Sequence, residues 1–232
     1  ARRYNKSIPG IFVNTGLEFP EIVQFTHKTD NIITLRPKKT FKQVIQEYGY
    51  PIISKEIAQK IYEIRTTNSE KLWDKRVYGL NGNGKLPYKW FSLVDAPFLI
   101  SHKCCSELKK KPLHKITIGS ITGMMAEESR LRKTSYMKSG CFIQKKNQLN
   151  PMSFWTEQNV WDYIHKYDIP YSSIYDMGYD RTGCTFCMFG VHLEKYPNRF
   201  QRMKETHPKL WNYCINILGL NRILDYIHVP YQ

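Results

Sequence analysis

Ile11-Phe12-Val13-Asn14-Thr15-Gly16-Leu17-Glu18-Phe19-Pro20-Glu21 decides how this chain folds. A short apolar run, Ile11 to Val13, enters Asn14-Thr15-Gly16, residue types that turn the backbone, and Pro20 then pre-sets the first turn of a helix through His27. Ile32-Ile33-Thr34-Leu35-Arg36 reads as the next strand. Strand, helix and strand in that order call for a parallel pair joined by a right-handed crossover. In an open parallel sheet, ligands collect at the carboxyl ends of strands, which is where Asn14, Thr15 and Gly16 stand.

Upstream, Ala1 to Ser7 is basic and compatible with a helix. Downstream, Phe41 to Tyr48 and Ser54 to Thr66 have helical spacing, with Thr40 and Ser54 placed to cap them. Gly79 to Pro87, containing Asn81-Gly82-Asn83-Gly84, is expected to be a mobile loop; no strand directly precedes it, which weakens a phosphate-cradle reading. From Trp90 the chain turns apolar through Phe98-Leu99-Ile100 and delivers Cys104-Cys105 and a basic segment stopped by Pro112. His114 to Ser120 reads as a parallel strand ending at Gly119, so the loop Gly123 to Arg132 also lies at a strand's carboxyl end. Thr156 is placed to cap a helix reaching Lys166 that buries Trp155, Val160, Trp161 and Ile164. After Phe189-Gly190, helical stretches are expected over His192 to Thr206, Pro208 to Leu218 and Leu220 to Tyr226. There are no internal repeats, and the division into an α/β region, 1–150, and a helical region, 151–232, is soft.

The chain has 232 residues, room for one substantial core. It shows no apolar leader and no apolar run of membrane-spanning length, so its six cysteines predict a protein of the reducing cytoplasm, with no membrane partner and with metal-binding or catalytic thiols instead of disulfides. Thirty-five Lys and Arg against twenty Asp and Glu leave a formal charge of +15, which attracts phosphate, sulfate, nucleic acid or another polyanion. Individual runs such as Lys38-Lys39 and Lys145-Lys146 read first as solvated faces. No Ser-His-Asp order, metalloprotease helix or complete Walker loop is present.

Four cysteines form two pairs, Cys104-Cys105 and Cys184-x-x-Cys187. If the fold joins the pairs, four thiolates can hold a 4Fe-4S cluster. Adjacent cysteines diverge, which suits separate iron corners better than one small ion; four-cysteine zinc and ordinary buried thiols remain the alternatives. Cys141 and Cys214 read as packing residues, because neither has a cysteine two or three residues away or an activating cation pair. His102, beside the first pair, is the one histidine placed to act there, and a plain surface role is the competing reading.

Cys104-Cys105-Ser-Glu-Leu-Lys109, Cys184-x-x-Cys187, the Asn14 to Glu21 stretch, Gly123 to Arg132 with Glu128-Ser129, and Pro151-Met-Ser-Phe-Trp155 to Trp161 together resemble the phosphoadenosine phosphosulfate (PAPS) reductase family. The match runs through nearly the whole chain in order. The double cysteine is similar to its cluster-bearing adenylyl-sulfate reductases and to cluster-bearing nucleotide pyrophosphatases of DNA phosphorothioation.

The resemblance implies an α/β, parallel-sheet adenine nucleotide alpha hydrolase-like (HUP) fold with a mostly helical C-terminal cluster-binding region. It also implies binding of an adenine nucleotide (ATP, adenylyl sulfate or PAPS) by Asn14, Thr15, Gly16, Glu18, Gly123, Glu128, Ser129 and Arg132, with Arg132 and Lys109 nearest the anion and Arg181 on its other side. Its expected work is sulfur metabolism, as an oxidoreductase on adenylylated sulfate. Rival readings are pyrophosphatase-type activation of nucleic acid for sulfur insertion, including tRNA thiolation, and a non-catalytic cluster-bearing subunit docked on a protein partner or in an oligomer.

The sequence also departs from the family. Met125 stands where the family has an arginine, removing one cation from the anion site. The reductases' nucleophile is a cysteine in a Glu-Cys-Gly context, and Asp225 to Gln232 holds none. Family members open with a strand and a Gly-rich SGGxDS phosphate loop, whereas Ala1-Arg-Arg-Tyr-Asn-Lys resembles the end of the helix that follows it. The expectation is a longer protein, whose absent strand leaves the neighbouring strands here unpaired.

Overall fold

Gly10–Val13 forms β1 and Ile32–Leu35 forms β2, paired in parallel with Ile11 opposite Ile33, and the helix between them, α1, spans Pro20–Lys28. The computed structural model describes residues 5–80, 83–114, 116 and 118–232. The expectations for Ala1 to Tyr4, Asn81-Gly82, Lys115 and Thr117 lie outside those residues. Where the amino-terminal run is described, Asn5 to Ser7 is a turn instead of a helix: the Asn5 side chain accepts from the Ser7 amide at 3.0 Å.

Thr40 caps α2, Phe41–Glu47, through a reciprocal exchange with Gln43, and Ser54 accepts from the Ile57 amide at 3.1 Å to cap α3, Lys55–Thr66. Between them Ile52–Ile53 is β3. α4, Glu70–Val77, follows, then an eight-residue 3₁₀ helix, Tyr88–Asp95. The glycine-rich loop is pinned at its described ends, because Leu80 and Asn83 exchange backbone bonds and the Lys60 ammonium donates to the Lys85 carbonyl at 2.8 Å. Gly49, at φ +104, lies so close to the neighbouring chain that an added Cβ would sit 2.2 Å from the Leu99 carbonyl carbon. That approach lets Tyr50 bridge Ile100 on the way to the first cysteine pair.

Arg65 organises the same route. Its guanidinium donates to the carbonyls of Val94 at 2.6 Å, Phe98 at 2.7 Å, Ala96 at 2.8 Å and Leu93 at 3.1 Å, holding the turn before Cys104 against α3. Beyond the cysteine pair, Ser106–Lys110 is a π turn that runs into the short α5, Lys111–Leu113.

The strand expected over His114 to Ser120 appears later: β4 is Ser120–Ile121, and the described residues before it are not strand. β4 pairs in parallel with β6, Gln148–Leu149, which pairs antiparallel with β5, Phe142–Ile143; α6, Arg130–Ser139, lies between β4 and β5. α7, Glu157–Lys166, begins at the Thr156 cap, yet Trp155, Val160, Trp161 and Ile164 are only half-buried. Among described residues 113–173 no hydrophobic side chain is buried, and the rings Trp161 meets beyond its own helix are those of Tyr171 and Tyr175, so no apolar interior lies over α7 to cover its stripe.

β7, Met188–Phe189, pairs in parallel with β3. The helix expected from His192 starts at Arg199, because Pro197 interrupts the run and Asn198 caps α8, Arg199–Thr206. α9, Pro208–Asn212, continues into a π turn, Tyr213–Ile217, and α10 is Leu220–Tyr226. One core draws on residues between Leu17 and Leu108 and between Phe186 and Val229, so the C-terminal helices close over the same interior as α2 and α3. Among the described residues the strands form three separate sheets, β1–β2, β3–β7 and β4–β6–β5, and β1 has no strand partner on its other edge.

Candidate metal and nucleotide site

The segment Arg181 to Phe189 is where the sequence-marked residues meet. Its Thr185 amide donates to the Leu17 carbonyl at 2.8 Å, anchoring it to the loop after β1. Arg181 donates to the Glu128 carbonyl at 3.2 Å, anchoring it to the loop before α6. Phe186 is buried against Phe41, their ring centroids 6.0 Å apart, and the segment ends in β7.

Inside that frame the two cysteine pairs converge. The Cys104 thiol is pushed well above its usual range by burial and then by the neighbouring Cys105, Cys184 and Cys187 sulfurs, which places all four within mutual electrostatic reach. Burial pushes Cys184 up to about 11, opposed by the charge of Lys109 and a hydrogen bond from its ammonium. Burial also raises Cys187, against a backbone N–H bond from Phe189 and the charge of Arg199. Burial works to lower Lys109, but the pull of Cys184, that hydrogen bond, Glu18 and Cys105 outweigh it, so the lysine holds its proton more firmly than usual.

The π turn explains how Lys109 arrives there, since one extra residue per turn re-aims the side chains around it. Among the described residues, no three His, Cys, Asp or Glu side chains close around a single-ion point. A cubane needs wider-set thiolates, and it accepts hydrogen bonds at its sulfides. Thr185, between Cys184 and Cys187, has a buried hydroxyl with no partner, a donor such a group would satisfy. Four thiols and an unpartnered hydroxyl donor beside them are the chemistry that an iron–sulfur group would use.

The loop after β1 is self-contained. Glu18 accepts from the Thr15 amide and hydroxyl, both at 2.8 Å, and from the Leu17 amide at 3.3 Å, while the Asn14 side chain accepts from the Gly16 amide at 3.0 Å. Gly16 takes φ +77, a left-handed turn that suits glycine. These amides are already engaged, which leaves the loop's outer surface and the Glu18 carboxylate, facing Lys109, as its contribution to the site.

In the second loop Glu128 accepts from the Met125 amide at 2.9 Å and pairs with Arg132, so the arginine is tied to an acid of its own loop instead of standing as an open anion cation. Ser129 caps α6 by accepting from the Arg132 amide at 3.3 Å. Gly123 has room for a side chain: a Cβ there meets only the Met152 sulfur, at 3.8 Å.

Arg199, which carried no sequence signal, is the cation missed. It donates to the Cys187 carbonyl at 2.8 Å while paired with Glu194. His102, T-shaped against Tyr62 at 5.9 Å, keeps a buried Nδ1 without a partner, and its basicity is lowered by burial and by Lys103. Cys214 is buried in the core as expected, whereas Cys141 is half-exposed, because it lies just before β5 in the part of the chain that has no apolar interior. A cavity of about 610 Å³ opens elsewhere, between α1 and residues 170–173, and none of the cysteines lines it. The donor chemistry, not the size of a hollow, marks the site.

Residues 1–189 match the phosphoadenosine phosphosulfate reductase domain. The chain belongs to the phosphoadenosine phosphosulfate reductase family. An uncharacterized protein of Methanocaldococcus jannaschii is 26% identical over 90% of this chain and 41% of its own length, and a second from that organism is 26% identical over 92% and 36%. An adenosine 5'-phosphosulfate reductase of Bacillus mycoides is 24% identical over 81% of this chain and 65% of its own length. This PAPS reductase-family chain thus spans roughly two fifths of its archaeal relatives. Family membership implies the α/β, HUP-like fold, with which the small parallel sheets are consistent. No helix of the described residues is long and apolar enough to cross a membrane.

Proposed function

We propose that this chain is the nucleotide- and cluster-binding part of an oxidoreductase that handles adenylylated sulfate. Cys104, Cys105, Cys184 and Cys187 would hold a 4Fe-4S cluster, and an adenine nucleotide would lie between the loops at residues 14–18 and 123–132. The observation that carries the reading is Lys109, a half-buried ammonium hydrogen-bonded to Cys184 within reach of Glu18. When bound, the cluster supplies an electron-accepting centre whose potential follows the charges and hydrogen bonds around it.

The chain's own residues do the rest. Lys109 balances the negative charge of thiolates and of a sulfate or phosphate brought beside them. Arg181, tethered to Glu128, offers a second cation at the mouth. Arg132 and Glu128 shape the nucleotide loop as a neutral pair, which together with Met125 makes the anion pocket less cationic than the family pattern. That difference supports a second reading, nucleotide-dependent sulfur transfer, in which ATP is the nucleotide.

Anaerobic purification with iron and sulfide analysis, followed by calorimetric titration with ATP, adenylyl sulfate and PAPS, tests both. Iron and sulfide near four per chain with tight adenylyl sulfate or PAPS binding supports the first reading. Tight ATP binding alone supports the second, and one zinc without sulfide removes the cluster from both.

A further inference from the structure

No acidic residue stands between Glu128 and Glu157, while Arg130, Arg132, Lys133, Lys138, Lys145 and Lys146 do. Arg132 pairs with Glu128; the other five join no ion pair among the described residues. They sit on α6 and on the 3₁₀ turn Gln144–Lys146 between β5 and β6. These elements form one lobe, joined where the Asn150 amide donates to the Cys141 carbonyl at 2.7 Å and where Thr122 and Gln148 both donate to the Asn150 side chain.

The helix has an inner side and an outer side. Arg132, Ser135 and Tyr136 line a small hollow against Met125 and Ser153, so the helical repeat turns Arg130, Lys133, Met137 and Lys138 outward. Leu131 is 84% exposed and Met137 75%. Two aromatic rings of the same stretch, Phe142 at 49% and Phe154 at 63%, are also open to solvent.

Exposed cations interleaved with exposed apolar and aromatic side chains suit a ligand that offers charge and flat apolar faces side by side. A single-stranded polynucleotide does that, with phosphates for the cations and unstacked bases for the rings. An anionic membrane would need the apolar residues gathered on one face of the helix and the cations on the other. On α6 they share one face: the helical repeat sets Leu131 in line with Lys138, two turns apart, and Met137 between the directions of Arg130 and Lys133. We propose that α6 and the β5–β6 turn form a docking surface for single-stranded nucleic acid, distinct from the thiol site.

The test is fluorescence anisotropy with the whole 232-residue chain and a labelled oligothymidylate of about 20 nucleotides, longer than one such patch covers. With five phosphate contacts, the logarithm of the binding constant should fall with the logarithm of salt at a slope of about −3.5. Arg130→Glu/Lys133→Glu/Lys138→Glu should weaken binding more than tenfold and flatten the slope by about 2. Phe142→Ala, in β5 beside the turn, should weaken it about fivefold or more, the loss of one stacked base. If the triple variant does not fold by circular dichroism, Lys145→Glu/Lys146→Glu serves in its place, with the slope flattened by about 1.4. Absence of binding at low salt, an unchanged slope in the folded charge variants, or unchanged affinity in Phe142→Ala overturns the proposal. So does tighter binding to a duplex of the same length, or binding to phosphatidylserine vesicles without binding to the oligonucleotide.

Discussion

Replacing Arg65 by methionine keeps the aliphatic stem against α3 and removes the guanidinium that four carbonyls share. Hydrogen bonds to a charged group contribute about 1.5–3 kcal/mol each. The four here do not add, because one side chain is desolvated once for all of them and half-exposed carbonyls recover water. Breaking the set should cost about 3–5 kcal/mol, roughly the worth of two such bonds. For a chain of this length about 1 kcal/mol lowers Tm by roughly 2–4 °C, so a circular dichroism melt should show a drop of about 6–20 °C. Arg65→Lys should recover only part, since a point-like ammonium cannot span acceptors spread from Leu93 to Phe98. Amide exchange should speed up across residues 93–103 more than across α2. A drop below about 2 °C in the methionine variant would refute the argument, because it would mean the carbonyls are satisfied equally well by solvent.

Single serine substitutions at Cys104, Cys105, Cys184 or Cys187 should lower iron and sulfide content after anaerobic purification, whereas Cys141→Ser should leave both unchanged. Lys109→Met should raise the pH at which the Cys184 thiol reacts with iodoacetamide, measured by mass spectrometry, because burial would then act unopposed. The raised thiols hold their protons at neutral pH, so metal or cluster loading should release protons and strengthen as pH rises; a loading titration independent of pH between about 6 and 9 would count against buried thiol ligands. Glu63 is held below its usual value of 4.5: burial works to raise it, but hydrogen bonds from Gln59 and Arg76 and the charges of Arg76 and His102 prevail. Its stabilisation is therefore present above pH 4.5 and lost as pH falls through the depressed value, so Glu63→Gln should flatten the acid side of the stability curve in urea melts.

The parts of the fold readable in the sequence were those set by neighbours in the chain. Pro20, Thr40, Ser54 and Thr156 start helices where capping chemistry puts them, and the β1–α1–β2 unit follows from its apolar runs. The pairing of β3 with β7 was not readable, because strands of two residues carry no periodicity and their partners lie far apart in the chain. The π turn at Ser106–Lys110 has no compositional signature, so Lys109 could be proposed by resemblance but not aimed. Arg132 was readable as a cation and not as a paired one, since its acid stands four residues away on the same loop. β4 begins two residues beyond the run Ile116-Thr117-Ile118, a register that local preference does not determine. Burial of α7 failed for a non-local reason: an apolar stripe predicts an inward face only where another element supplies an interior.

Arg181 to Phe189 is fastened to the loop after β1, to the loop before α6 and to β3, and it carries half of the thiols. Such a segment makes its neighbours thermodynamically linked. Whatever the four sulfurs hold restricts the two loops, and whatever the loops hold must tighten the grip of the sulfurs by the same factor, since a coupling free energy between two sites is reciprocal. On the proposed reading, removing a thiol-bound group should then lower nucleotide affinity without any change in the residues of the two loops.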